Sequence, residues 1–454
     1  MKHRIFTATL LLSVLALNAQ TDVLSIDSCR NMALQHNKDL QSAALSVKAA
    51  EYTRKSTRGL FFPDLSLDGF ALYSNTTLDL AIAGGMLPVF APNPTVGGLA
   101  PNGNYAYFPG ANINADLKGI YGASLVLKQP LYMGGKIMAG YKKSKIAVDL
   151  FRQNQRKTEA EVIQQVDEAY AKVVKAKELL QVAERYGELL QELDKNVESA
   201  VRHGLRMQAD RMKVQVKLSE VQLQIRRAEN GLRLAKMNLC HVTGQPLHTP
   251  LAVSDNYPSV EDALQLSAVD IMARPEYQML EYQAQLAEQD VKMTRAELLP
   301  HLALLAKYGY TYGAHVNDRN LIDKQSFLGG VTLSVPIYHF GERINKLKAA
   351  KVKAEQAKVE VQSKSEKMML ELTQASNNLD EAKLEVSLSE QTQEEARASM
   401  EITRKQFEAG TEPLSDYLEA QAVWQKAYEQ CVNAHFQLYL SAVNYLRAAG
   451  LLVQ

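Results

Sequence analysis

Two stretches of the sequence, GLRMQADRMKVQ at 204–215 and GTEPLSDYLEAQ at 410–421, lie 206 residues apart and indicate how the whole chain is built. At this spacing three residue pairs coincide: Gly204 with Gly410, Asp210 with Asp416, and Gln215 with Gln421. A glycine that separates two apolar helical patterns is typical of a tight reversal between helices. The two stretches therefore predict two equivalent helical hairpins.

The duplication extends far beyond these reversals. The 206-residue spacing holds without a gap from Pro130 and Pro336 to Gly244 and Gly450, and upstream it becomes 237 residues, as between Ala50 and Ala287. Internal similarity of this kind indicates one structural unit written twice. We divide the chain into a first repeat at 20–245, a linker at 246–258 whose three prolines end the helical pattern, and a second repeat at 259–454.

Each repeat contains two long stretches in which apolar residues step by four and three positions in alternation. An example is the series Val162, Val166, Ala169 and Val173. Sustained spacing of this kind, without an interrupting proline, predicts long helices that pack as coiled coils. The expected helices are 136–203 and 207–243 in the first repeat, and 341–409 and 413–449 in the second.

Each repeat also contains two short segments in which apolar and other residues alternate. Leu302, Leu304, Ala306, Tyr308 and Tyr310 form one such face. The alternation predicts strands near 62–76, 118–131, 301–312 and 327–338. Between the first two strands, residues 80–115 are rich in glycine and proline, and we expect a long loop there.

Strands of about ten residues with one apolar face and tyrosines at the end fit transmembrane β-strands. A small soluble hairpin packed on helices is the alternative for any one of these strands taken alone. Four strands cannot close a barrel, and an open strand edge is not viable in lipid. If the strands cross a membrane, the chain must therefore oligomerise.

The first 19 residues have the layout of a secretory signal peptide. Lys2 and Arg4 precede the apolar run Ile5–Leu17, which is too short for the roughly 20 residues of a spanning helix. The formal net charge of +1 gives no reason to expect a nucleic-acid partner.

This layout resembles the TolC-like outer-membrane efflux factor family over essentially the whole mature chain. The resemblance rests on the duplication, on PLYMGG at 130–135, on PIYHFG at 336–341, and most specifically on FEAGTEPLSDYLEAQ at 407–421. It implies a mainly α fold with β-strands: duplicated long α-hairpins would form an α-helical barrel, and four strands per chain would contribute to a trimeric 12-stranded transmembrane β-barrel.

The resemblance also implies a function and partners. The chain would be a homotrimeric outer-membrane channel, the passive exit duct of a tripartite efflux pump or a type I secretion system. It would sit in outer-membrane lipid with a periplasmic helical extension. A periplasmic adaptor (membrane fusion protein) would open it, and an inner-membrane efflux transporter or ABC transporter would drive export. Nothing in the sequence selects the cargo or the class of pump.

The family resemblance places the channel constriction at the second reversal. Asp416 and Glu419 lie one helical turn apart, and copies of them in an oligomer would form an acidic ring that attracts cations. Asp210 and Phe407 are further candidates. The alternative is that Asp210 and Asp416 only stabilise helix starts, where the helix dipole favours acidic side chains.

Adaptor proteins of the family dock near the same reversals, so the candidate docking residues are Gly204, Arg206, Gly410, Thr411 and Glu412. The family's entrance is held shut by an aromatic residue, an arginine and an aspartate. Here Phe407 lacks a hydroxyl and Glu412 stands in the place of the arginine. Because Arg206 has the equivalent place in the first repeat, we expect it to contact Glu412.

An enzymatic function has no support in the sequence. The histidines have no metal-binding spacing, and Gly134-Gly135 lacks the rest of a phosphate-binding loop, so we expect no cofactor, metal or catalytic residue. The second hypothesis for the function is a periplasmic coiled-coil adaptor or scaffold without a pore of its own. Such a protein would favour one hairpin with unduplicated β-domains, and this sequence has the opposite arrangement.

Overall fold

The computed structural model describes residues 23–75, 77–93, 97–116, 119–254, 257, 270–316 and 319–452. The predicted signal at 1–19 lies outside these residues, as do 255–256 and 258 of the predicted linker. The helices are α1 (Ile26–His36), α2 (Lys38–Gly59), α3 (Lys136–Arg202), α4 (Gln208–Val242), α5 (Pro275–Ala296), α6 (Glu342–Glu408) and α7 (Leu414–Ala448), with a 3-10 turn at Ile271–Ala273.

The strands are β1 (Val23–Leu24), β2 (Asp64–Leu72), β3 (Thr77–Ile82), β4 (Gly85–Asn93), β5 (Gly98–Phe108), β6 (Ala111–Asp116), β7 (Ile120–Met133), β8 (Ala252–Val253), β9 (His301–Val316) and β10 (Arg319–Ser334). The chain divides into two compact units. The helical unit comprises the residues up to Ala50, Ala147–Ala284 and those from Gln356 onward, and the sheet unit comprises Glu51–Ile146 and Gln285–Glu355.

The long helices reproduce the duplication of the sequence. Helices α3 and α6 have 67 residues each, and α4 and α7 have 35 each. A 67-residue helix rises about 100 Å along its axis. Each end of α6 and α7 lies 206 residues after the matching end of α3 and α4. Equal patterns of apolar spacing thus give helices of equal length in the two repeats.

The core of the helical unit lies along the face of α3 that carries the four-three pattern. Val162, Val166, Ala169 and Val173 are each at most 1% exposed. Asp167 on the same helix is fully buried, and Arg30 of α1 donates to its two carboxylate oxygens from Nε and Nη2, both at 2.7 Å. A buried carboxylate needs such a partner because burial removes its hydration. This pair attaches the N-terminal helix to the first hairpin.

Two equivalent polar residues fix the ends of the second helix of each hairpin. Asn37 Nδ2 donates to the Val242 carbonyl at 3.1 Å, and Arg274 Nη1 donates to the Ala448 carbonyl at 3.2 Å. Both side chains are buried, and both carbonyls lie at a helix end where no intrahelical donor is available. Arg274 also pairs with Glu371 at 3.1 Å. In both repeats a buried side chain therefore donates a hydrogen bond to the last carbonyl of the helix. The donor is the amide of Asn37 in the first repeat and the guanidinium of Arg274 in the second.

The sheet unit is built on four antiparallel strands in the order β2-β7-β9-β10. Strands β2 and β7 come from the first repeat, and β9 and β10 from the second. The register pairs Leu67 with Leu125, Leu125 with Tyr308, and Tyr308 with Phe327. Because paired residues share a face of a sheet, the apolar alternations of all four strands coincide on one side.

The interpretation of residues 80–115 as a loop is wrong. These residues contain half of β3, most of β6 and all of β4 and β5. β3 pairs with β6, which joins β9 at Ala115–Val316, and β4 pairs with β5 in a separate two-stranded sheet. Glycine and proline exclude a helix here, but they do not exclude a strand in a two-stranded hairpin. Each strand of such a hairpin has one edge without a neighbouring strand, and a proline that lacks an N–H donor is tolerated on that edge. The six-stranded sheet therefore exceeds the four strands that we expected.

None of the helices in the described part of the chain is both long enough and apolar enough to cross a lipid bilayer.

We predict that Arg274→Ala destabilises the helical unit by about 1–3 kcal/mol, because it leaves the Ala448 carbonyl buried without a donor. The measurement is thermal unfolding of the full chain followed by the helical circular dichroism signal. The matched control is Arg226→Ala, since Arg226 is 75% exposed and forms a surface ion pair with Glu229 one turn away. Equal unfolding midpoints for the two variants would contradict the anchoring role of Arg274.

Candidate functional site

The two helical reversals have the same backbone geometry. Gly204 and Gly410 adopt φ values of +69° and +75°. After each glycine, the next N–H bonds back to the last helical turn: Leu205 N donates to Ala200 O at 2.8 Å and Thr411 N to Gln406 O at 2.9 Å. A left-handed residue is required in this cap, and only glycine adopts that conformation without strain. These glycines therefore act as helix stops, and the sharp turns present the side chains around them.

The side chains at three matched positions of the two reversals carry net charges of opposite sign. At matched positions of the duplication the first hairpin has Arg206, Asp210 and Lys213, whereas the second has Glu412, Asp416 and Glu419. Asp210 is paired with Lys213 at 3.4 Å and its side chain is only 18% exposed. The second hairpin has replaced this lysine by a glutamate, so it presents three carboxylates and no cation at these positions.

The three carboxylates of the second hairpin line one groove between α6 and α7. The groove has a volume of about 360 Å3, and Ser399, Thr403 and Val423 are among its other lining residues. Asp416 and Glu419 are exposed, and Glu412 is half-buried. Asp416 accepts a hydrogen bond from Ser415 Oγ at 2.9 Å. We call Glu412, Asp416 and Glu419 the acidic face.

Asp210 and Asp416 also lie in the first turns of α4 and α7. Neither helix has a side-chain hydrogen bond from its N-cap residue, Met207 or Pro413. A carboxylate in the first turn therefore interacts favourably with the positive end of the helix dipole. This contribution to helix stability is compatible with a second role for the exposed carboxylate of Asp416.

Phe407 lies inside a cluster that joins the two hairpins. Its ring stacks on Tyr417, with centroids 5.4 Å apart and planes 18° from parallel. The Arg206 guanidinium carbon lies 4.5 Å from the centre of the Phe407 ring, and Arg206 Nη2 approaches the Phe407 carbonyl at 3.5 Å. A planar guanidinium over an aromatic ring is a favourable cation–π contact. The cluster brings a residue of the first reversal onto the second hairpin.

The expected contact between Arg206 and Glu412 is not among the ion pairs of the described residues. Arg206 lies over Phe407 instead, because the apolar cluster of Leu414, Tyr417 and Leu418 holds the aromatic ring within its reach. Burial raises the pKa of the Tyr417 hydroxyl above its usual value.

A cleft of about 660 Å3 opens beside this cluster. Its lining residues include Leu193, Val197, Arg206, Arg404, Phe407 and Tyr417, which come from both hairpins. Arg404 is held by Glu401 at 2.9 Å and Glu408 at 3.7 Å. In the first hairpin the two helices are joined by ion pairs instead: Arg211 of α4 bonds Glu198 of α3 at 3.1 Å and approaches Asp194 of α3 at 3.8 Å. Tyr417, the counterpart of Arg211, had no recognisable signal in the sequence.

In the described part of the chain, no three histidine, cysteine or acidic side chains are grouped closely enough to hold a metal ion. The cysteines Cys29, Cys240 and Cys431 are free and buried.

Comparison with known proteins gives consistent results. The profile of the family described as outer membrane efflux protein matches residues 29–245 and 271–450. The chain is 24% identical to the alkaline protease secretion protein AprF of Pseudomonas aeruginosa over 333 residues, which cover 72% of this chain and 69% of AprF. It is 26% identical to the outer membrane protein TolC of Vibrio cholerae over 232 residues, which cover 50% of this chain and 53% of TolC.

Among solved structures, the outer membrane protein VceC of Vibrio cholerae superposes with a TM-score of 0.72 at 15% sequence identity. The superposition covers 94% of this chain and 96% of VceC. At this identity the similarity establishes a common fold.

We predict that the contact between Arg206 and Phe407 couples the two hairpins by about 0.5–1 kcal/mol. The measurement is a double-mutant cycle with Arg206→Ala and Phe407→Ala, read as the free energy of local opening from amide hydrogen exchange over residues 404–417. Phe407→Tyr, which keeps the ring, is the control and leaves protection unchanged. Strictly additive effects of the two alanine substitutions would show that the hairpins are not joined here.

Proposed function

The chain belongs to the outer membrane efflux protein family, and from that premise we propose how its sheet and its reversals make it an export channel. It is an outer-membrane conduit with a periplasmic helical extension, and the transport that it serves is efflux or secretion. It is not an enzyme, because proteins of this family are passive conduits. The adaptor or scaffold hypothesis is not supported.

The observation that carries the proposal is the apolar face of the sheet unit. Its side chains are large, apolar and exposed to solvent within the single chain; they include Leu67 at 75%, Tyr121 at 54%, Tyr308 at 55%, Phe327 at 73% and Leu333 at 63% exposure. A soluble protein rarely leaves a patch of this kind uncovered. Lipid would cover it, and the tyrosines would lie at the membrane interface.

The opposite face of the same strands is suited to an aqueous lumen. It carries Ser66, Asp68, Lys128, Lys307 and Thr332, and the register pairs Asp68 with Ser124 and Thr332 with Ala303. Alternation between a lipid face and a polar lumen face is the pattern of a transmembrane barrel. The two faces together therefore support the proposal that the sheet is part of a barrel wall, with lipid on one side and water on the other.

The wall is incomplete in one chain, since β2 and β10 each pair on one side only among the described strands. We propose that β2 of one copy pairs with β10 of the next. Four strands from each of three copies would give the 12-stranded barrel of a homotrimer. Closure removes every strand edge from lipid, where unpaired backbone groups are costly.

At the reversals, we propose that the acidic face lines the entrance of the channel. Three copies would bring Asp416 and Glu419 into one ring of carboxylates, which attracts cations and raises a barrier to anions. Asp210 would contribute less, because Lys213 neutralises it. Phe407 would not be part of the ring of carboxylates. It would support that ring by holding the second hairpin against the first through its contact with Arg206.

The partners follow from the family and from the shape of the reversals. We propose that a periplasmic adaptor docks at the turns formed by Gly204, Arg206, Gly410, Thr411 and Glu412, and that an inner-membrane efflux transporter or ABC transporter supplies the energy. AprF is an alkaline protease secretion protein, and the similarity to it supports an export role of this kind for the present chain.

We predict that the purified full chain forms channels in planar lipid bilayers and that Asp416→Asn combined with Glu419→Gln lowers their preference for cations. Removal of the carboxylates weakens the attraction of cations to the constriction. Asp210→Asn is the matched control, since its carboxylate is already paired, and it leaves the reversal potential in a salt gradient nearly unchanged.

Two outcomes would contradict different parts of this account. Failure of the wild-type chain to form channels would contradict the pore. If the channels have the same ion selectivity with and without the two carboxylates, the result would contradict the acidic ring but not the pore.

A further inference from the structure

Strands β3 to β6, at 77–93 and 97–116, pair as one long hairpin, which we call the arm. Its lower ladder pairs β3 with β6, and its upper ladder pairs β4 with β5. The lower ladder is attached to the sheet through Ala115–Val316 and Asp116–His315 on β9. The second repeat has no counterpart of the arm, because the spacing between the repeats changes across it. The arm is therefore a feature of the first repeat alone.

The two ladders of the arm meet at a pair of glycines whose backbones touch. A Cβ atom on Gly110 would lie 2.7 Å from the Ile82 carbonyl oxygen and 2.8 Å from Gly84 N, and one on Gly84 would lie 2.9 Å from the Phe108 carbonyl oxygen. Gly110 also has a φ of +75°. Any other residue would clash with backbone at this joint. The sequence thus builds a defined junction between the ladders.

On both sides of a register irregularity between Pro88 and Phe90, one face of the upper ladder is apolar or aromatic. The register pairs Met86 with Tyr107, Pro88 with Tyr105, Phe90 with Pro101 and Pro92 with Leu99. Five of these side chains are largely exposed: Met86 at 63%, Phe90 at 54%, Leu99 at 71%, Tyr105 at 62% and Tyr107 at 70%. Residues 80–115 contain no charged side chain. A face of this kind marks an interaction surface.

The apolar face continues the alternation of the sheet. The register connects Leu78 through Ala115 to β9, so Leu78, Leu80 and Ile82 fall on the side of Tyr308, Tyr310 and Tyr312. The same alternate positions of the sequence continue past Gly84 to Met86, Pro88 and Phe90. The surface of the arm is therefore the extension of the surface that we assign to lipid.

We propose that the aromatic face of the arm lies on the outer leaflet of the membrane, as an interfacial anchor of the barrel. Tyrosine suits this position because its ring is apolar and its hydroxyl reaches water. Pro88, Pro92 and Pro101 lack the N–H that an added strand would need, which disfavours pairing with a second copy. Residues 80–115 carry no charge, so no ionised side chain of this stretch loses its hydration when it enters the membrane interface. This inference rests on the proposed function, since it requires the sheet to be in a membrane.

The test uses the single tryptophan of the chain, Trp424, which is replaced by phenylalanine to give a silent background. Phe90→Trp then reports on the aromatic face of the arm, and Leu87→Trp reports on the opposite face of the same strand. Both side chains are 54% exposed, so they are matched in their access to solvent. Phe327→Trp on β10 reports on insertion of the sheet. Each full-length variant is reconstituted in phosphatidylcholine vesicles, with and without brominated acyl chains.

We expect brominated lipid to quench position 90 to an extent comparable with position 327, and position 87 several times less. Quenching at 327 without quenching at 90 would overturn the arm proposal and leave the channel intact. Blue-shifted but unquenched emission at 90 would indicate contact with protein, such as a second copy, and would also overturn it. Equal quenching at 87 and 90 would overturn the assignment of the face. Absence of quenching at 327 would instead contradict the proposed function itself.

Discussion

The unpaired outer edges of β2 and β10 are the constraint on which the rest of the structure depends. Each edge carries N–H and C=O groups that the described strands of one chain do not satisfy. The sheet between them has an apolar face, so the favourable surroundings for its side chains are lipid, where unpaired backbone groups cost most. The pairing that we propose between copies would resolve both demands at once. The same incompleteness extends to α6, which buries only Ala354, Leu379, Ala382, Ala396 and Met400 along its 67 residues.

A comparison of the two repeats distinguishes features that the fold requires, which both repeats share, from features that are specific to one hairpin. The helix ends are satisfied in both repeats, by Asn37 in one and by Arg274 in the other. The reversals have the same glycine geometry but net charges of opposite sign at three matched positions. Because the backbone tolerates either set of charges, the acidic face of the second hairpin is not a requirement of folding. Its charges are available for the entrance that we propose, while Arg206 of the first hairpin contacts Phe407 of the second.

The sequence allowed the long helices and four of the strands to be predicted, because their signals are local. Apolar spacing and the glycines at 204 and 410 determine where the helices run and end, and alternation marks β2, β7, β9 and β10. The strands of the arm were not predicted, because a stretch rich in glycine and proline is also typical of a loop. The beginning of β10 escaped because Arg319–Gln325 lacks an apolar alternation. The contact of Arg206 with Phe407 joins residues 201 positions apart, and no local pattern distinguishes it from the expected contact with Glu412.

The central claim is that other copies complete the sheet in a membrane. Amide hydrogen exchange of the full chain in lipid nanodiscs, read by mass spectrometry, tests it most directly. The account predicts that β2 and β10 are protected along their whole length, as strongly as β7 and β9, because all their backbone groups are paired. Rapid exchange of half of the amides of β2 and β10, with β7 and β9 still protected, would show open edges and contradict it.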